Sequence, residues 1–95
     1  MRDIQKFFEE HADDFLKLPP RAPELCGRPD LIAFMLLDKL VPSTIDIVSA
    51  ADHDIIYLSV DPYKVNGVAT DAELLLLIQC GVMFEAEQES FSMFV

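Results

Sequence analysis

The densest run of side chains able to hold a divalent cation is Asp52-His53-Asp54, with Asp46 and Asp61 not far away in the chain. An imidazole with carboxylates can ligate a metal, but a structural zinc site wants four converging ligands and a catalytic one three plus an open position. Three adjacent residues in extended backbone point to alternate sides. The same triplet also reads as a polar turn in which Asp bonds local amides and His faces water. No metal is the expectation; a metal-binding protein or small metal-dependent enzyme using Asp52, His53 and Asp54, with His11 as the only other histidine, is the alternative.

The remaining chemistry-bearing residues are sparse. Glu85, Glu87 and Glu89 at spacing two share one face of an extended strand, which makes a solvated acidic row or, given a cleft, a carboxylate pair for acid and base work. Cys80 falls near the end of an apolar helix, where the negative end of the macrodipole raises a thiol pKa, whereas Cys26 sits between Arg21 and Arg28 and is the more reactive candidate. Ser43, Ser49, Ser59, Ser90 and Ser92 lack the G-x-S-x-G elbow, and neither G-x-G-x-x-G nor a P-loop motif is present among only three glycines. The sequence therefore offers no catalytic set and implies no cofactor.

The elements that must position these residues follow from periodicity. Ile4, Phe7, Phe8, His11, Ala12 and Phe15 recur at helical spacing, predicting an amphipathic helix over 3–17. Three prolines and a glycine between Leu18 and Arg28 predict a crossing loop. A second helix runs from Pro29, suited to a first turn, to Leu40 before Pro42, apolar nearly all round. Two strands follow, one from Ile45 and one over Ile55 to Val60, joined by a polar turn at Ala51 to Asp54. Asp61-Pro62 ends the second strand and Asn66-Gly67 marks a loop. Thr70-Asp71-Ala72-Glu73 matches a capping box, opening a core helix that buries Leu76 and Leu77 and ends at Gly81. Val82 to Glu87 and Phe91 to Val95 read as a last strand pair. The expected order is α-α-β-β-α-β-β: one α+β domain over residues 1–95, a two-layer arrangement of an antiparallel sheet of two hairpins with helices on one face.

Charge narrows the partners. The 95 residues carry 7 basic and 17 acidic side chains, a net −10, and residues 30–95 hold only Lys39 and Lys64 against 11 carboxylates. Direct nucleic-acid binding is disfavoured because it depends on Lys and Arg neutralising phosphates, and an anionic membrane surface repels the same charge. A basic protein partner is favoured, met through Asp46, Asp61, Glu85, Glu87 and Glu89; solubility of a chain 52% hydrophobic is the plainer reason for the charge. The longest apolar run, Leu31 to Leu37, is far short of the ~20 residues that span a bilayer. Met1 to Lys6 lacks the basic-then-apolar order of a secretory signal, so a cytoplasmic setting with reduced thiols is expected. The apolar C-terminus must dock somewhere. Self-association as a homodimer through Phe91, Met93 and Phe94 is the expected outlet.

The C-terminal third, with Ile55-Ile56-Tyr57-Leu58, Thr70 to Leu77, Cys80-Gly81-Val82 and the ending Phe91-Ser92-Met93-Phe94-Val95, resembles the tail of short uncharacterised proteins encoded by bacteriophages and prophages. That resemblance implies a bacterial host cytoplasm and no mechanism. The readings that follow are a small acidic, non-enzymatic interaction protein that self-associates and engages a basic partner, in phage form an inhibitor of a host nucleic-acid-handling protein; the metal reading above; and a structural phage component.

Overall fold

The computed structural model describes residues 3–17, 29–43 and 45–94. Helix α1 (Ile4–Glu10) starts at Asp3, whose side chain accepts from the Lys6 amide at 3.3 Å. It stops well short of the expected end at 17. Its last turn holds no basic residue to complement the negative end of the helix dipole, and the carboxylates Glu9, Glu10, Asp13 and Asp14 crowd that end. The chain instead tightens into a 3-10 turn (Ala12–Asp14), with the His11 ring 3.3 Å from Asp14 Oδ2. Helix α2 (Pro29–Leu40) has the expected bounds, and its core stripe is Ile32, Ala33 and Leu37. It is not buried all round, since Leu31 and Met35, one turn apart, are exposed.

The first hairpin is β1 (Val48–Asp52) and β2 (Ile55–Leu58), antiparallel with Asp52 opposite Ile55. The ladder thus begins three residues later than Ile45 and runs into the stretch expected as turn. A two-residue connection, His53-Asp54, closes it with His53 at φ 54°, because tight hairpins take a left-handed turn residue that matches strand twist.

Residues 62–68 correct the expected order. They form helix α3 (Pro62–Val68) rather than a loop, so the observed order is α-α-β-β-α-α-β-β with the 3-10 turn after the first helix. Asp61 is an N-cap, accepting from the Tyr63 amide at 2.9 Å, and Pro62 occupies the first turn, where a missing N–H costs nothing. Asn66 and Gly67 lie inside this helix; Val65, fully buried, is what holds it to the core.

Helix α4 (Asp71–Gln79) is the best-specified element. Thr70 Oγ1 accepts from the Glu73 amide at 3.1 Å while Glu73 Oε1 accepts from the Thr70 amide at 2.9 Å. The amide bond from Thr70 holds the Glu73 carboxyl below its ordinary range, outweighing the opposite effect of partial burial. At the other end the Gly81 amide reaches Ile78 O at 3.0 Å and the Val82 amide reaches Leu77 O at 3.0 Å, the paired bonds of a Schellman cap. Gly81 takes φ 100°, a left-handed conformation that side chains rarely adopt, so the backbone demands glycine there; the nearest neighbour of an added Cβ, Leu16 Cδ2 at 2.7 Å, is the end of an exposed side chain that can move aside.

The second hairpin is β3 (Met83–Glu85) and β4 (Ser90–Phe94), shorter at its first strand than the expected 82–87. The sheet order is β1-β2-β4-β3, all antiparallel, which places the C-terminal strand centrally between β2 and β3. One sheet face contributes Ile56, Leu58, Phe84, Phe91 and Met93 to a core shared with Ile4, Leu37, Val65, Leu74 and Leu77 of the helices. This is the α+β class with helices over that face. The Cα radius of gyration, 12.3 Å, matches the roughly 12.4 Å expected of a compact chain this long.

Candidate functional site

Of the expected contact carboxylates, Glu85, Glu87 and Glu89 do not form one row. Glu85 closes β3, half-buried, and accepts from the Ser92 hydroxyl at 2.9 Å, so its charge satisfies a fully buried serine. Glu87 lies exposed in the turn, and Glu89, at φ 51°, follows it out of the strand. The spacing-two alternation that would align the three fails because the strand ends at Glu85.

What the tertiary structure brings together instead is Tyr63 and Glu89, with Asp61 two residues before the ring. The ring stands edge-on to Phe84 with centroids 6.3 Å apart, and its hydroxyl makes a long hydrogen bond of 3.4 Å to Glu89 Oε1. Partial burial, the charge and hydrogen bond of Glu89, and the charges of Asp3 and Asp61 together push the phenol above its ordinary pKa. The contact joins the first turn of α3 to the β3–β4 turn, two places far apart in sequence. Tyr63 is half-exposed. Tyr63 was missed as a site residue; Asp61-Pro62 read as a helix start would have set it in a first turn.

A second acidic locus borders β1. Asp46, Asp52 and Asp54 are all exposed, as are all five residues of the strand. His53 Nε2 lies 3.5 Å from Asp52 Oδ1 with both side chains largely in solvent. His11, the other histidine, stacks its ring on Phe7 at 4.4 Å and pairs with Asp14. Among the described residues no group of three or more His, Cys, Asp or Glu side chains comes together as a metal site.

Cys80 is 1% exposed and free, and burial pushes its thiol up to about 11, which suppresses the nucleophilic thiolate. Cys26 lies outside the described residues. A groove of about 530 Å³ runs between α1, the 3-10 turn and β3, walled by Phe8, Phe15, Val82, Met83 and Phe84. Among the described residues Glu9 is the only titratable group lining it, and these offer a substrate no acid–base pair. Phe91 and Met93, expected at a self-association surface, belong to the core at 0% and 3% exposure; Phe94, at the end of β4, is 56% exposed. No helix among the described residues is long and apolar enough to cross a membrane. Comparison with protein-family models, with curated proteins and with solved structures finds no match for the chain.

Proposed function

We propose that this protein is a non-enzymatic interaction protein that engages a basic protein partner through the acidic surface of its sheet-bearing half. The observation that carries the reading is the exposure of Asp46, Asp52 and Asp54 beside β1 and of Asp61 and Glu89 beside Tyr63, in a stretch from residue 40 to 95 where Lys64 is the single basic side chain. Potentials of one sign steer an oppositely charged partner, and a half-exposed tyrosine framed by carboxylates suits a Lys or Arg side chain, which gains both charge pairing and the ring face. Direct nucleic-acid and membrane-surface contacts remain disfavoured on charge. In the phage setting that the C-terminal pattern implies, the partner is a host nucleic-acid-handling protein in the bacterial cytoplasm, and the carboxylates stand where phosphates would.

The test is a calorimetric titration with a lysine-rich peptide at about 50 and about 500 mM NaCl, over which the screening length falls from roughly 14 to 4 Å. Binding that weakens at least about tenfold with salt supports the reading, and absence of binding at low salt refutes it. A second reading, pairing of identical copies, keeps Phe94 of its three expected residues and gains Leu31 and Met35, exposed on one side of α2.

A further inference from the structure

The strand order leaves the sheet two edges, and they are unlike. β3 is three residues long, half-buried, and packed against α1. β1 is five residues long, every one of them exposed, and among the described residues no strand pairs with its outer side. In an antiparallel ladder every second residue turns its N–H and C=O away from the neighbour, so the outer side of β1 presents a row of backbone groups that no strand among the described residues pairs with. Natural edges are guarded by lysine, proline, strong bulging or a covering helix. Here Val48-Ser49-Ala50-Ala51-Asp52 contains no lysine and no proline, and among the described residues its guards are the register shift between Val48 and Ala50 at the strand's start and the carboxylate of Asp52 at its end, which repels an acidic strand and not a basic one.

We infer that β1 accepts an extended basic segment of a protein partner as a fifth strand of the sheet. The inference rests on the basic-partner reading and names the place and mode of contact. Charge decides the occupant: Asp46, Asp52 and Asp54 flank the edge, and no Lys or Arg occurs between Lys39 and Lys64. A second copy would set two such runs of carboxylates against each other, and like charges across a strand pair oppose pairing, whereas a strand bearing Lys or Arg at alternate positions meets them with opposite charge. Ile45, 66% exposed, and Val48, 36% exposed, add apolar contact for the side chains between. Main-chain bonds supply affinity and the flanking charges supply selectivity, as in other strand additions.

The experiment titrates the whole protein with an alternating Lys–Val peptide, the Glu–Val peptide, and the Lys–Val peptide N-methylated at alternate amides, following amide hydrogen exchange by NMR. The expected result is binding of the first alone, exchange at alternate residues between Ser49 and Asp52 slowed at least about tenfold, and affinity lost in the Asp46→Lys, Asp52→Lys double variant, whose changes are both at exposed positions. Equal binding of the N-methylated peptide, or binding without protection in β1, overturns strand addition and leaves the basic-partner reading in place. Failure of every basic peptide at low salt overturns both. Protection of β1 with no peptide, accompanied by a doubled mass, assigns the edge to a second copy and overturns the inference.

Discussion

Cys80 and His53 show how the same residue type changes role with its surroundings. Cys80 sits behind the Schellman cap with the apolar core on its other sides, and its thiol is held protonated to about 11, against an ordinary value of 9.0. A proton bound more tightly in the folded state stabilises fully below the unfolded pKa, and that stability is lost as pH climbs from about 9 to about 11. At 1.36 kcal/mol per unit the loss is about 2–3 kcal/mol. Urea denaturation at pH 7, 9 and about 10.5 should show the wild type losing about 2 kcal/mol more stability than Cys80→Ala by the highest pH, short of the full loss because the folded pKa is not yet passed. His53, by contrast, is held in a turn by backbone geometry and faces water. Adding Zn²⁺ or Mn²⁺ should leave the melting temperature unchanged, because a ligand stabilises only in proportion to its binding of the native state. A saturable rise that disappears in His53→Ala would select the metal-binding alternative.

At the scale of elements, α4 separates two neighbouring leucines that composition treats alike. Leu77 is 0% exposed and packed in the core, while Leu76 is half-buried, a correction to the expectation that both are fully enclosed. Helical rotation of 100° per residue turns one inward and the other toward the rim. Leu77→Ala should therefore cost about 2–5 kcal/mol by transfer and cavity terms, and Leu76→Ala less than half as much, measured by chemical denaturation. Equal costs would show that the helix is rotated from the orientation described. The capping box and Gly81 were legible because each rests on bonds within a few residues. The break after Glu10 and the helix at 62–68 were not, although both carried signals: stacked carboxylates at a helix C-terminus, and an Asp-Pro pair at an N-terminus. Those signals are each worth about 1 kcal/mol, small enough for a competing reading of the same residues.

For the whole molecule the question is where the apolar excess goes. The accessible surface is 5998 Å², close to the roughly 5,500 Å² of an ordinary monomer of 10.7 kDa. Phe91 and Met93 are enclosed within the one chain, because β4 lies centrally in the sheet with helices over its inner face. Ten excess negative charges also oppose close approach of copies at low salt. Light scattering at micromolar concentration and about 150 mM salt, where screening acts within about 8 Å, should give one chain's mass, 10.7 kDa. Twice that mass, returned to one by Phe94→Glu, would select the pairing of copies instead.

Local chemistry in the sequence determined the α+β class, the two hairpins, the capped core helix and the acidity of residues 30–95, since periodicity, caps and charge act over a few residues or none. The order of strands was decided only in three dimensions. Placing β4 between β2 and β3 took Phe91 and Met93 from a terminal surface into the core, and it left β1, whose five residues are all exposed, as an edge that no strand among the described residues covers. Long-range pairing also brought Glu89 of the β3–β4 turn to the Tyr63 hydroxyl of α3, a contact between two separate elements. Such contacts depend on which strands pair and which faces are covered, quantities set by burial of the whole core.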